Sequence, residues 1–276
     1  MLSLQSHHIA DLYVWVDDLL PKQEKDRSKG GRPLLLSESE TIIILVWNTL
    51  MLHQKNLKDI HRFMTTYLEK EFPKIPKYNA FLVRCHKITP LMFGILEILL
   101  NRKSPIIFMD STMVPVCKLK RADSHKVAKK LAKFGKNHQG WHYGFKLHAS
   151  ISENKTLTAI ALTPANMHDA QMMPHLVNEH TKIGIGDSHY GARVMGRYLW
   201  EKYGTVFIAP PHFTQKKKMA TSFQNKLLSD RSKIEAVFDI LKEHLHFVST
   251  FPRSVFGYLV HYVRILLGYQ IMALMG

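Results

Sequence analysis

Three carboxylates stand where phosphodiester chemistry would need them. Asp110 closes the apolar run Ile106-Ile107-Phe108-Met109, and Asp187 closes a second run, Ile183-Gly184-Ile185-Gly186. Glu235 opens the strongly periodic segment Ile234 to Leu245. In-line attack on a phosphodiester uses two divalent cations roughly 3.5–4 Å apart, one activating the nucleophile and one stabilising the leaving oxygen. A hard cation such as Mg2+ is held by a few carboxylates, with water and substrate phosphate completing its shell. Aspartates at two strand ends, faced by a glutamate from a packing helix, can supply that donor set. A lone aspartate at a strand end is more often a turn or cap residue. Three in a matching layout point to one metal centre, with Asp110, Asp187 and Glu235 as its ligands and catalytic groups.

The segment that carries Glu235 has a second feature. At about 100° per residue, Ile234, Val237, Phe238, Leu241 and Leu245 fall on one apolar stripe. Arg231, Glu235 and Lys242 lie in a narrow arc along its edge. That polar seam either points into a cleft, where Arg231 and Lys242 would meet phosphate, or is a solvated flank with an Arg231–Glu235 pair one turn apart. Other metal chemistry finds no support. The 17 histidines are scattered with no HExxH spacing, and the two cysteines, Cys85 and Cys117, form no CxxC pair. Neither a structural zinc site nor a disulfide framework is therefore supported.

Charge adds a partner class. The chain carries 38 Lys+Arg against 22 Asp+Glu, a formal net charge of +16. Such an excess attracts polyanions by neutralising phosphates and releasing counterions, without conferring sequence preference. The excess is also clustered. Lys118 to Lys136 holds eight Lys/Arg and one Asp, among them Lys118, Lys120, Arg121, Lys126, Lys129 and Lys130. A second cluster, Lys216-Lys217-Lys218, precedes the Glu235 helix. Both are candidate phosphate contacts that would position a duplex, although a charge run is often a solvated loop.

These residues need a scaffold, and the pattern along the chain predicts an α/β one behind a helical region. Ser37-Glu38-Ser39-Glu40 is a capping box before the apolar stretch Ile42 to Leu52. Leu57, Ile60, Phe63, Met64 and Tyr67 follow at helical spacing, and a longer helix is expected from Asn79 to Asn101. The first two helices fit a helix-turn-helix DNA reader and a plain helical bundle equally well. Lys22 to Pro33, charged and containing Gly30-Gly31, reads as a loop or arm. Strands are expected at Ile106–Asp110, His142–Ile151, Thr156–Thr163, Ile183–Asp187 and Thr205–Ala209, and helices at Asp169–His180, Ala192–Tyr203 and Ser229–His244. Asn166 and Asp169 read as caps of the first of these helices. The resulting order, β-β-β-α-β-α-β-α, belongs to neither a TIM barrel nor a β-sandwich. The expected domains are residues 1–103, 104–250 and a C-terminal helix at 251–276. That last segment is apolar, but His261 and Arg264 interrupt it, so a buried helix is preferred to a membrane span. With no secretory layout at the N-terminus, the expected location is cytoplasmic and nucleoid-associated.

The pattern resembles the DDE transposases of bacterial insertion sequences, which have an RNase H-like catalytic domain. Asp110 and Asp187 match the two aspartates at strand ends. Arg231-x-x-x-Glu235-x6-Lys242 matches the Tyr-x-x-Arg-x-x-x-Glu-x6-Lys signature of one large group, with Leu228 in place of the Tyr. Gly144-x-Lys146-x-His148 and Asn166-x-His168-Asp169 resemble segments between the two aspartates, and Lys146 and His148 join the candidate DNA contacts. The likeness spans Ile106 to Leu245, and its layout points to the insertion sequence 982 type. The resemblance implies Mg2+ or Mn2+ at two ions per site, cleavage at terminal inverted repeats, strand transfer into target DNA, and a dimer or higher assembly on DNA. A structure-selective nuclease of the same fold and a silent DNA-binding regulator remain open alternatives.

Overall fold

The computed structural model describes residues 9–20, 35–190, 193–210 and 221–275. It opens with helices α1 (Ile9–Leu19), α2 (Glu38–Leu52), α3 (Leu57–Tyr67) and α4 (Tyr78–Leu99). Strands β1 (Ile106–Pro115), β2 (Lys133–Asn137), β3 (Gly140–Ser152) and β4 (Leu157–Pro164) follow. Next come α5 (Asp169–Leu176), β5 (Ile183–Ile185), α6 (Arg193–Tyr203) and β6 (Val206–Ile208). The last elements are α7 (Ser222–Ser229), α8 (Ser232–Asp239), a π-helical turn at Ile240–His244 and α9 (Val255–Met275). Contacts divide the chain into a helical unit (Met1–Leu99, His244–Phe247, Phe251–Gly276) and a sheet-bearing unit (Leu100–Glu243, Val248–Thr250). The Lys22–Pro33 arm and the Lys216–Lys218 cluster lie outside the described residues.

In the helical unit the capping box forms as the sequence predicts. The Ser37 hydroxyl accepts from the Glu40 N–H at 3.1 Å, and the Glu40 carboxylate accepts from the Ser37 N–H at 2.5 Å. Each helix start otherwise leaves N–H groups without partners, so this reciprocal pair fixes where α2 begins. Asn56 does the same for α3, its side chain accepting from the Asp59 N–H at 3.0 Å. The α9 helix packs against α2 and α4. Among the described residues it alone is long and apolar enough to cross a membrane, and 72% of its most apolar window is buried.

The sheet-bearing unit is mixed α/β. β3 pairs antiparallel with β1, β2 and β4, while β1–β5 and β5–β6 are parallel. The run Ile107-Phe108-Met109 is buried without a break because both faces of β1 are covered. On one face, Ile107 and Met109 join Met173, Leu176, Tyr190 and Leu199 in a core cluster. On the other, Phe108 lies beneath α8, with Lys233 Nζ 5.4 Å from its ring centroid. Each such apolar side chain contributes about 1.5–3 kcal/mol on burial. Period-2 alternation then puts Asp110 on the α8 face with Phe108. The β1–β5 register pairs Phe108 with Ile185, so Asp110 and Asp187 each lie two residues beyond the same rung.

The structure departs from expectation in three elements. A fourth strand, β2, precedes the first helix of this unit, so the order begins β-β-β-β-α. β2 escapes the pattern because Gly135 is its one buried residue. A Cβ at Gly135 would stand 2.2 Å from the Ala165 carbonyl oxygen, and Gly140 turns the hairpin at φ +113°. The expected Ser229–His244 helix starts three residues later, as α8, and passes into a π turn; an unexpected helix, α7, ends at Ser229, with Asp230 and Arg231 as the junction. Helix α5 stops at Leu176 rather than His180, where the Asn178 side chain bonds the His180 N–H and the Arg102 carbonyl.

Candidate active site

Asp110 is the best-defined member of the site. Its Oδ1 accepts from the Ser111 N–H at 2.7 Å, and Oδ2 accepts from the Arg231 guanidinium at 3.3 Å. Burial pushes its carboxyl up to about 7; the Ser111 N–H opposes this, Asp187 adds to it, Arg231 opposes it and Asp169 adds to it. A carboxylate so placed, among like charges and short of water, gains by acquiring a cation.

Arg231 sits at the α7–α8 junction and serves two acids. Besides Asp110, its Nη2 is 2.6 Å from Glu235 Oε1, one helical turn onward. The Arg231–Glu235 pair of the polar seam forms, and the same guanidinium reaches Asp110. Glu235 keeps a side-chain exposure of 51% against 17% for Asp110, so it faces solvent while Asp110 stands at a shielded floor.

A cleft of about 660 Å3 lies over this floor, lined by Asp110, Asp187, Asp169, Lys146 and Lys242. The lining does not include Glu235. Burial lowers the Lys242 ammonium from its ordinary range, and Asp239, Glu243 and Asp110 pull it back.

Asp169 is the residue that sequence reasoning misplaced. The N-cap of α5 is His168, which makes no side-chain cap bond. The Asp169 carboxylate instead accepts from Lys146 Nζ at 3.2 Å and lies 3.4 Å from His148 Nδ1. Lys146 Nζ also donates to the Met167 carbonyl at 2.9 Å. His148 is wholly buried on β3, with Nε2 2.9 Å from Thr163 Oγ1. Burial lowers it to about 4, Asp169 opposing and Lys146 assisting, so the ring is neutral at physiological pH. His148 is absent from the cleft lining, so its expected DNA contact is withdrawn in favour of a structural role. Lys146 is 8% exposed but borders the cleft. The signal that could have found Asp169 is its spacing from the β3 residues Lys146 and His148, which only the β3–β4 register makes meaningful.

The basic residues separate into two groups. Lys118, Lys120 and Arg121 lie at a 3-10 turn, Leu119–Arg121, and with Lys126, Lys129 and Lys130 they are exposed. None of these lines the cleft. The β2–β3 turn does so instead, through Lys136, Asn137, His138 and Gln139. Beside it Trp141 is 56% exposed, with Lys136 Nζ 5.9 Å from its ring centroid.

A family model described as a transposase DDE domain matches residues 101–255, more than half of the chain. The chain belongs to the DDE transposases. The match takes in Asp110, Asp187, Arg231, Glu235 and Lys242, and no curated protein matches the chain. The transposase family generally uses divalent metals, and its donor chemistry can be compared with the residues present. Asp110 and Asp187 suit a hard cation by type, by their shared cleft and by the upward push on Asp110. Among the described residues, however, no three His, Cys, Asp or Glu side chains lie close enough to hold a metal ion. Glu235 is the outlying member, and the Arg231 guanidinium is the cation between it and Asp110.

Proposed function

We propose that this transposase cuts DNA at the ends of its element and joins the freed 3′-hydroxyl to target DNA. In this reading, Asp110, Asp187 and Glu235 hold two Mg2+ or Mn2+ ions in an RNase H-like domain. The antiparallel β1–β3–β4 layer continued by parallel β5 and β6 supports that fold assignment. The observation that carries the proposal is the cleft itself, with Asp110 and Asp187 in its lining and Glu235 joined to Asp110 through Arg231.

When bound, the ions would activate the attacking water or 3′-hydroxyl and stabilise the leaving oxygen. The protein's own residues do the rest. Asp110 loses the proton that burial favours. Arg231 releases Asp110 and Glu235, lets Glu235 turn inward, and pairs with a phosphate, for which a guanidinium fork is well shaped. Lys242 and Lys146 offer positive charge along the cleft wall, and the exposed lysines from Lys118 to Lys130 hold the duplex farther out. No residue attacks phosphorus, so hydrolysis and joining proceed by the same in-line geometry without a covalent enzyme intermediate.

The test is purified protein incubated with labelled DNA of the element's end and Mg2+ or Mn2+. Metal-dependent nicking followed by joining is expected, with both lost in Asp110→Asn, Asp187→Asn and Glu235→Gln. Nicking without joining would replace the transposition reading with that of a nuclease.

A further inference from the structure

Arg264, in the middle of α9, is 0% exposed. Its Nη1 donates to Thr49 Oγ1, and its Nη2 reaches the carbonyls of Gln54 at 3.0 Å and Lys55 at 3.3 Å, and His261 Nδ1 at 3.2 Å. Every one of those acceptors is neutral. The Nε–H has no partner, and none of the described ion pairs includes this guanidinium. Among the described residues, Cys85 is the one acid that bears on Arg264, and burial pushes its thiol up to about 12, so it stays uncharged at neutral pH. Burial lowers Arg264 itself only to about 10, which leaves it cationic. The carbonyl end of α2 offsets part of that charge. A fully buried cation with no counter-ion is nevertheless rare without an anion to meet it.

Arg264 also lines a cavity of about 410 Å3 in the helical unit. Lys55, Lys58 and Arg253 line the same space against a single carboxylate, Asp59, which the Asn56 side-chain amide holds at 2.6 Å. A second orphan, His86 Nε2, belongs to the lining as well. Tyr78 and Leu82 contribute an apolar wall. The cavity falls in the size range of small-ligand sites and is too large for a bare phosphate. We propose that it binds a nucleotide-sized phosphate monoester, with the phosphate toward Arg264 and the cationic rim, and the apolar body against Tyr78 and Leu82. The phosphate comes either from a free nucleotide or from the 5′-terminal nucleotide of a DNA strand.

Titration calorimetry on the full chain tests this with a nucleoside 5′-monophosphate, the same nucleoside without phosphate, and short oligonucleotides carrying a 5′-phosphate or a 5′-hydroxyl. The expected result is saturable binding of at least one phosphorylated probe, about tenfold or more tighter than its unphosphorylated match, the value of one charge-assisted contact. A response to the free nucleotide identifies one source, and a response to the 5′-phosphorylated strand alone identifies the other. Arg264→Gln, which keeps donors for the two carbonyls, should remove the preference. Should that variant fail to fold, the exposed pair Lys58→Ala and Arg253→Ala must weaken binding by a similar factor. Equal affinity for phosphorylated and unphosphorylated probes overturns the proposal, as does a preference that survives Lys58→Ala with Arg253→Ala. The two linings share no residue, so this site and the carboxylate cleft can fail independently.

Discussion

The Arg231 guanidinium is shared between Asp110 and Glu235, and it is one of the groups that oppose the effect of burial on Asp110. Replacing Arg231 with Gln removes a charge that holds the Asp110 carboxyl down, so its titration midpoint should move above about 7. Carbon-13 NMR of the aspartate carboxyls reads this directly, and an unmoved midpoint would mean that the pair is electrostatically idle. A second consequence concerns pH. Folding raises the Asp110 midpoint from 3.8 to about 7, so the folded state binds the proton more tightly than the unfolded state between those values. Stability from this group is fully present below pH 3.8 and is lost as pH rises toward about 7. Asp110→Asn should therefore flatten the pH dependence of urea unfolding in that window and raise stability at neutral pH by up to about 4 kcal/mol. A variant with the wild-type slope would contradict the burial argument. At His148 the expectation is structural: His148→Ala leaves a cavity and removes one of the two hydrogen bonds of the Thr163 hydroxyl, costing about 2–4 kcal/mol. DNA affinity of the folded fraction should be unchanged in a filter-binding assay, and a large loss there would restore His148 as a contact.

At the level of elements, the β2–β3 hairpin brings Lys136, Asn137 and His138 to the cleft, and its fit depends on Gly135. Gly135→Ala must push the strand off Ala165, an overpacking cost of about 1–3 kcal/mol, and should speed amide exchange along Lys133–Gly144 while leaving β1 protected. Uniformly unchanged exchange would show that the strand is not held there. This hairpin also marks the limit of what the sequence discloses. β1, β3 and α2 are legible because burial on known faces imposes a period, and because Ser37 and Glu40 form a local capping pair. β2 is not, because an edge strand with one buried glycine has no apolar period to display. Helix α7 is likewise hidden, since the stripe Ile234, Val237, Phe238 and Leu241 fixes only the segment after Arg231. Asp110, Asp187 and Glu235 could be singled out as candidates from their positions and the Arg231–Glu235–Lys242 spacing, but Asp169 could not. Its partners, Lys146 and His148, lie 23 and 21 residues earlier and meet it only through the sheet.

For the molecule as a whole, the +16 charge and the exposed lysines between Lys118 and Lys130 predict binding to DNA that weakens steeply with salt. Removing three of those charges together (Lys126→Ala, Lys129→Ala and Lys130→Ala) should lower the slope of log K against log salt by about 3 × 0.9. An unchanged slope would show that this face does not meet the duplex. The central claim is narrower: the three carboxylates gather around metal, and Arg231 yields its place when they do. The measurement is an anomalous-scattering map of the protein crystallised with Mn2+ and end-sequence DNA. The account predicts manganese peaks bounded by Asp110, Asp187 and Glu235, with Arg231 turned from Asp110 to a phosphate. Manganese bound elsewhere, or an Arg231–Asp110 pair intact beside an occupied metal site, would contradict it.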